Sequence, residues 1–299
     1  MEGGTCNAAH RVQVEGRAPL VLRAAPPPGS QGQPSASDLR NEYAAGPFLA
    51  VLGPLVPTTL FADFTHQVLA RDWLLQPLLP GVPARQVLPG CGPAQQRSYY
   101  RQLGEVTARL HGVRGQRFGP VSGPWHPTWS QEVEHRLHRR AEEYSAAGLD
   151  PADVHHLLAA LALHRQVLDE VRTPHLLHGD LWVLNTLVEP RPRTGPGSGD
   201  QEEGPVITAV LDHDRASWGD PLADTALHAA LQRVGTAADA FWDTYPRPGR
   251  DGATRVRALY AWALNVSGAR LDIHRRGLQV RSIPAQHWDL GQVVQRLGA

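Results

Sequence analysis

Two short segments constrain this chain more than the rest of it. The first, HLLHGDLWVLNTLVEP (His175–Pro190), is an apolar run interrupted by His-Gly-Asp and resumed after Asn185. The second, VITAVLDHDRASWGDPLAD, ends an apolar run at Asp212 and continues through Asp214, Asp220 and Asp224. Short apolar runs rich in β-branched residues read as buried strands. The pattern therefore predicts strands whose ends present carboxylates and one amide. Asp180 and Asn185 would stand at the two ends of one loop, and Asp212 would project past the edge of a sheet. Oxygen donors clustered without Cys, or His at zinc spacing, describe a hard-cation site. Magnesium prefers such ligands and shares them with phosphates. On this reading Asn185 and Asp212 could ligate a metal, leaving Asp180 free for proton chemistry.

The surrounding sequence predicts a mixed architecture. Two Pro-, Gly- and Ser-rich stretches, Ala24–Ser37 and Pro190–Gly204, read as exposed loops. Before the first, AHRVQVEGRAPLVLRA alternates and turns at Glu15-Gly16, as a β-hairpin does. After it, DLRNEYAAGPFLAVLG is apolar at Leu39, Tyr43 and Leu49 and predicts a helix broken or kinked at Gly46-Pro47. HQVLARDWLLQPLLPG predicts two more short strands, ending at Pro80-Gly81. Helical signals then dominate. Tyr100, Leu103, Val106 and Leu110 share one face. Thr128 and Gln131 have capping-box spacing ahead of Val133, Leu137, Ala141 and Tyr144. Asp150 and Pro151 have the character of a helix start. The chain from Pro221 onward reads as mostly helical. A small β-rich part thus precedes a larger α-rich part, with the boundary near Leu78–Gly81.

Composition narrows the class. A chain of 299 residues can bury a full core in one or two domains. Zero formal net charge and a pI near 7.3 give no support to a nucleic-acid or membrane-surface partner. Two cysteines, Cys6 and Cys91, suit free thiols in a reducing cytoplasm better than a disulfide framework. No apolar run reaches the length of a membrane span. There is no lysine; every Lys/Arg cation is arginine.

HGDLWVLN followed by VLDHDRASWGDPLAD resembles the aminoglycoside phosphotransferase family, the small-molecule branch of the protein-kinase-like fold, related to fructosamine and choline kinases. The resemblance implies an α+β, two-lobed protein. Residues 1–79 would form a small antiparallel β-rich nucleotide-binding lobe, its first strand shortened. Residues 80–299 would form a larger, mainly helical catalytic and acceptor-binding lobe. It implies ATP (or GTP) and Mg2+ as cofactors and a small molecule with a hydroxyl as acceptor. Carried over by position, Asp180 is the catalytic base, Asn185 and Asp212 hold magnesium, and Asp220 braces the catalytic loop. Gly3, Gly4 and Asn7, in GGTCN, correspond to the loop that covers the phosphates. Arg23 stands where kinases carry a strand lysine, Glu42 is its helix partner, and Leu78 is a further nucleotide contact.

Other residues carry two readings each. His178 is expected to hold the catalytic loop by hydrogen bonding, and His111 to be packed. Trp182 and Asp214 could line the acceptor site, or be a core tryptophan and a solvated acidic turn. Glu132, Glu134, Glu142 and Glu143 read as a solvated helix face. Two alternatives remain. LLHGDLW also resembles fructosamine kinases, although those tend to place Pro-Ala after the metal aspartate, unlike DHDRASWGDP here. Arg23 and the short N-terminal part suggest a nucleotide-binding pseudokinase.

Overall fold

The computed structural model describes residues 7–26, 37–190, 204–231, 235–275, 277 and 290–298. The expected hairpin is formed by β1 (Ala8–Val12) and β2 (Leu20–Ala24), with Val12 opposite Leu20 and Ala9 opposite Arg23. Its turn contains Gly16 at φ +71°, a conformation that suits glycine. Helix α1 (Ser37–Leu49) follows, then β3 (Phe61–Asp63) and β4 (Trp73–Pro77). These strands make one antiparallel sheet in the order β1-β2-β4-β3.

Three sequence expectations shift here. Only β4 lies within the segment expected to hold two strands; β3 lies upstream of it. Helix α1 runs through Gly46-Pro47, because Pro47 falls in its last turn, where little of the hydrogen-bond ladder remains to be lost. Tyr43 is 50% exposed and meets Phe64 edge-on, so the buried face of α1 is set by Leu39, Ala45 and Leu49.

The remainder packs helices around two small sheets. Its elements are β5 (Val82–Pro83), α2 (Ala84–Val87), α3 (Pro93–Gly112), β6 (Gly119–Pro120), α4 (Trp129–Ala146) and α5 (Ala152–Leu168). β7 (His175–Leu177), β8 (Thr186–Glu189), β9 (Val206–Val210) and β10 (Ser217–Gly219) follow, then α6 (Leu222–Leu231), α7 (Gly252–Arg275) and α8 (Leu290–Arg296). One sheet has the order β5-β8-β9 and the other β6-β10-β7, all antiparallel.

Helices α4, α5, α7 and α8 enclose a core that includes Leu137, Tyr144, Leu157, Tyr260 and Leu290. The periodic residues Val133, Leu137, Ala141 and Tyr144 are all buried, and Thr128 caps α4 by accepting from Gln131 N–H. A second core joins α1 and α3 to the small sheets through Leu49, Leu103, Leu176 and Val210. On α3 the fully buried tyrosine is Tyr99, not Tyr100. Its hydroxyl meets Thr186 Oγ1 at 2.7 Å, which satisfies the one polar atom that burial would otherwise penalise. Glu132 departs from the expected solvated face. It is 1% exposed and pairs with Arg136 at 2.5 Å.

Candidate active site

Sheet register assembles the site. Thr186 lies opposite Val210 in the β8–β9 pair, and Leu211 N–H donates to Asn185 O at 2.9 Å. Asn185 and Asp212 therefore flank the same end of one hairpin. In the other sheet Ser217 lies opposite Leu177, which brings the His178–Asp180 loop beside Arg215 and Ala216. Gly179 sits at φ +83°, and a Cβ there would lie 2.6 Å from Arg215 O. Only glycine fits that approach.

The loop is clamped through its backbone. His178 N–H and Gly179 N–H donate to the two carboxylate oxygens of Asp224, at 2.7 and 2.8 Å. Asp224 also accepts from His111 Nε2 at 3.2 Å, and His111 Nδ1 in turn accepts from the Tyr245 hydroxyl at 2.7 Å. Burial alone would raise the Asp224 pKa. The hydrogen bonds from His111 and His178 outweigh it and hold the carboxylate below its ordinary 3.8. His178 Nε2 donates to Leu211 O at 3.1 Å, leaving Nδ1 to accept from Asp180 N–H at 3.3 Å. These bonds tie the Asp180 loop to the segment that carries Asp212.

Asp180 is held by Asn185, whose side-chain nitrogen donates to Asp180 O at 2.8 Å and to Oδ2 at 3.0 Å. That orientation turns the amide oxygen of Asn185 away from Asp180. Burial raises the Asp180 pKa above its ordinary 3.8, against the pull of Arg215 and His178. Asp212 sits at φ +69° and is partly exposed. One carboxylate and one amide oxygen at a hairpin end fit magnesium, which binds through one or two protein oxygens and completes its shell with phosphates and water. Among the described residues no group of three or more His, Cys, Asp and Glu side chains is arranged to hold a metal ion.

A cation lies at the centre of the next group. Arg23, on β2, contacts Glu42 of α1 at 2.5 Å and Asp212 at 2.6 Å. Glu42 is buried and also accepts from Gln76 at 2.9 Å. The pair is therefore not an ordinary surface ion pair. Desolvation disfavours the guanidinium charge, but Glu42 and Asp212 outweigh it and raise the Arg23 pKa.

The phosphotransferase enzyme family (APH) matches residues 2–259 of this sequence. The chain belongs to this family. No curated protein matches it. Its fold is similar to that of several solved structures. One is a thermostable mutant of aminoglycoside phosphotransferase APH(4)-Ia, in ternary complex with AMP-PNP and hygromycin B, at 18% identity. That match covers 100% of this chain and 93% of the other, with a TM-score of 0.62. Macrolide 2'-phosphotransferase MphH from Brachybacterium faecium is 22% identical, covering 99% and 90%, with a TM-score of 0.54. An APH(2")-IIia structure with GDP and kanamycin is 15% identical, covering 98% and 92%, at 0.57. The α+β, protein-kinase-like class read from the sequence is thus the observed one.

Within this family fold, some sequence-derived positions lie elsewhere than expected. Asp220 does not brace the loop. Its Oδ1 accepts from Leu222 N–H at the start of α6, and the brace is Asp224, one turn further on. Asp214 is buried and faces Asp212 and Arg23 rather than the loop end at Asp180. Burial and the nearby Asp212 push its pKa up to about 8. Leu78 N–H is engaged by Pro19 O at 3.0 Å, so a nucleotide base could meet only its carbonyl or side chain. Asn7 is buried, and its side-chain nitrogen has no partner among the described residues. Trp182 is half-buried, and its buried indole N–H likewise has no partner among the described residues. Gly3 and Gly4 lie outside the described residues.

Sequence reasoning passed over Asn41. Its side-chain nitrogen donates to Asp214 O and Ala216 O, both at 2.8 Å, and its oxygen accepts from Ser122 N–H at 2.9 Å. It docks α1, and with it Glu42, onto the segment after Asp212. The only sequence signal was an asparagine mid-helix beside Glu42, a residue type that disfavours helix interiors unless it has a polar partner.

Proposed function

We propose that this protein transfers the γ-phosphate of ATP or GTP to a hydroxyl of a small molecule, an aminoglycoside-like compound or another metabolite. The observation that carries this reading is the convergence of a desolvated Asp180, held by Asn185, with Asp212 at one hairpin end and Arg23 beside it. Residues 1–79 serve as the nucleotide-binding lobe and 80–299 as the catalytic and acceptor-binding lobe.

Asp180 orients the acceptor hydroxyl and takes its proton. Burial makes its carboxylate a better base than an exposed aspartate, and its acid limb of activity lies above pH 3.8. Asn185 and Asp212 would hold magnesium, with Asp214 behind Asp212. Bound there, the ion supplies neutralisation of charge on the phosphates. Arg23 turns part of its fork from Asp212 to phosphate oxygens while Glu42 keeps it oriented. Asn7 belongs to the GGTCN segment, whose Gly3 and Gly4 would cover the phosphates. Trp182 would line the acceptor site through the partly exposed part of its ring. The protein's part is mostly positioning and electrostatics, as phosphoryl transfer requires.

The Arg23–Asp212 contact favours one other reading, a nucleotide-binding protein without turnover, because a guanidinium occupies the carboxylate that magnesium would use. Turnover separates the two. ATP or GTP with magnesium is incubated with aminoglycosides, macrolides, glycated amines and small alcohols, and diphosphate release is measured. Acceptor-dependent release is expected, and Asn185→Ala and Asp212→Ala should each weaken its magnesium dependence. Tight nucleotide binding with no release across the panel would favour the binding protein. Unchanged magnesium titrations in both variants would remove the metal assignment.

A further inference from the structure

Asn41 lies on α1 between two groups of contacts. Glu42, the next residue, faces the β1-β2-β4-β3 sheet, where it meets Arg23 at 2.5 Å and Gln76 at 2.9 Å. Arg40, the residue before, also ties α1 to that sheet, donating to Asp72, just ahead of β4, at 2.8 and 3.0 Å. Consecutive helical positions point about 100° apart, and Asn41 reaches the other way. Its amide nitrogen donates to Asp214 O and Ala216 O, both at 2.8 Å, and its oxygen accepts from the Ser122 N–H and hydroxyl at 2.9 and 3.0 Å. Both amide hydrogens and both lone pairs are then used, and a buried side chain with that full complement has one orientation.

The sheet, α1 and Arg23 thus form one unit, and Asn41 joins that unit to the segment that follows Asp212. Asp214 is two residues beyond Asp212. Ala216 leads into β10, whose Ser217 lies opposite Leu177 at the entry to the Asp180 loop. The far end of α1 is held differently: Phe48 meets Trp218 edge-on at 4.9 Å, and Ala45 and Leu49 join the same core. Apolar burial is non-directional and leaves a helix free to tilt on its contact. The bonds of Asn41 are directional and stand beside Glu42, so they fix how far the Arg23 guanidinium lies from Asp212, a contact of 2.6 Å.

We propose that Asn41 is a positioning residue for the nucleotide: by holding α1 at a fixed distance from Asp212, it sets Arg23, through Glu42, where the phosphates bind. The inference rests on the nucleotide-binding part of the phosphotransferase reading. It predicts a defect in nucleotide affinity rather than in the proton step at Asp180. Affinity of the full chain for MgATP or MgGTP, whichever binds tighter, is measured by calorimetry, KM and kcat by diphosphate release, and folding by urea denaturation. Asn41→Ala should weaken binding and raise KM for the nucleotide about fivefold to tenfold, with kcat at saturating nucleotide within about threefold of the parent. Glu42→Gln should weaken binding in the same direction, and the double variant should be little worse than the worse single one, because both act on Arg23. Ser122→Ala removes only the hydroxyl bond on the other side of Asn41 and should lower stability while leaving affinity within about twofold. If Asn41→Ala does not fold, Asn41→Ser, which keeps a hydroxyl donor, replaces it in the cycle with an expected loss of about threefold. Parental affinity in a folded Asn41 variant, additive effects of the Asn41 and Glu42 variants, or a loss in Ser122→Ala equal to that in Asn41→Ala would overturn the proposal. A parent that binds nucleotide without turnover fails the phosphotransferase reading alone, and the calorimetric cycle still decides the role of Asn41. A parent that binds no nucleotide overturns both.

Discussion

Around Asp180 the backbone itself is fixed: two successive N–H groups end on one fully buried carboxylate, Asp224, which His111 and Tyr245 support from behind. Between β2, α1 and Asp212 the principal contacts run from side chain to side chain, Arg23 to Glu42 and Asp212. The first arrangement cannot exchange partners without unfolding the loop. The second can, because a guanidinium that leaves Asp212 for a phosphate loses no backbone bond. A site for phosphoryl transfer needs both: a base held at fixed distance, and cations that redistribute as the nucleotide binds.

The contrast is broken most severely at Asp224. Asp224→Ala leaves two buried N–H groups and His111 without their acceptor and should cost about 3–5 kcal/mol in urea denaturation. The pH dependence follows from its depressed pKa. A carboxylate titrating lower in the folded than in the unfolded protein contributes stability in full above the ordinary 3.8. That contribution is lost as pH falls through the folded value. The parent should therefore lose stability on acidification below that range, and the variant should lose less.

Arg23→Ala comes next, with a stability loss of about 2–3 kcal/mol, since Glu42 is buried and among the described residues keeps only Gln76 as a partner. The variant should also require more ATP for turnover, and Arg23→Lys should restore part of both. If ATP binding and turnover match the parent, the role of β2 in nucleotide binding is wrong.

The smallest effect sharpens the comparison at its far end. Tyr245→Phe removes one hydrogen bond to His111 and should cost about 0.5–1.5 kcal/mol, measured by denaturation, with turnover little changed. A large fall in turnover would mean that the clamp transmits more than rigidity.

These regions also differ in how far they could be read in advance. The β8–β9 hairpin and its flanking Asn185 and Asp212 were legible because alternating apolar runs and a short local motif carry them. The choice between Asp220 and Asp224 was not. Two carboxylates four residues apart at a helix start look alike in sequence, and only the approach of the β7 loop selects the one inside the helix. Tyr99 rather than Tyr100 is buried for a similar reason. Neighbouring positions differ by 100° around the helix, and the deciding hydroxyl partner, Thr186, is distant in sequence. The position of β3 was misread because the short apolar run Val68–Ala70 reads as a strand, yet lies in the connection into β4. Asn41 left only the weak signal of a mid-helix asparagine, because its partners are backbone carbonyls, an amide and a hydroxyl from other segments.

The most direct test compares the parent with Asp180→Asn in one assay, with ATP, magnesium and the acceptor panel, alongside thermal shifts on adding ATP and magnesium. The asparagine keeps the shape of the side chain but cannot take a proton. Turnover should fall by about 10²–10⁴ while the nucleotide-dependent thermal shift is preserved. Near-parental turnover in Asp180→Asn would remove the base from the mechanism and contradict the account.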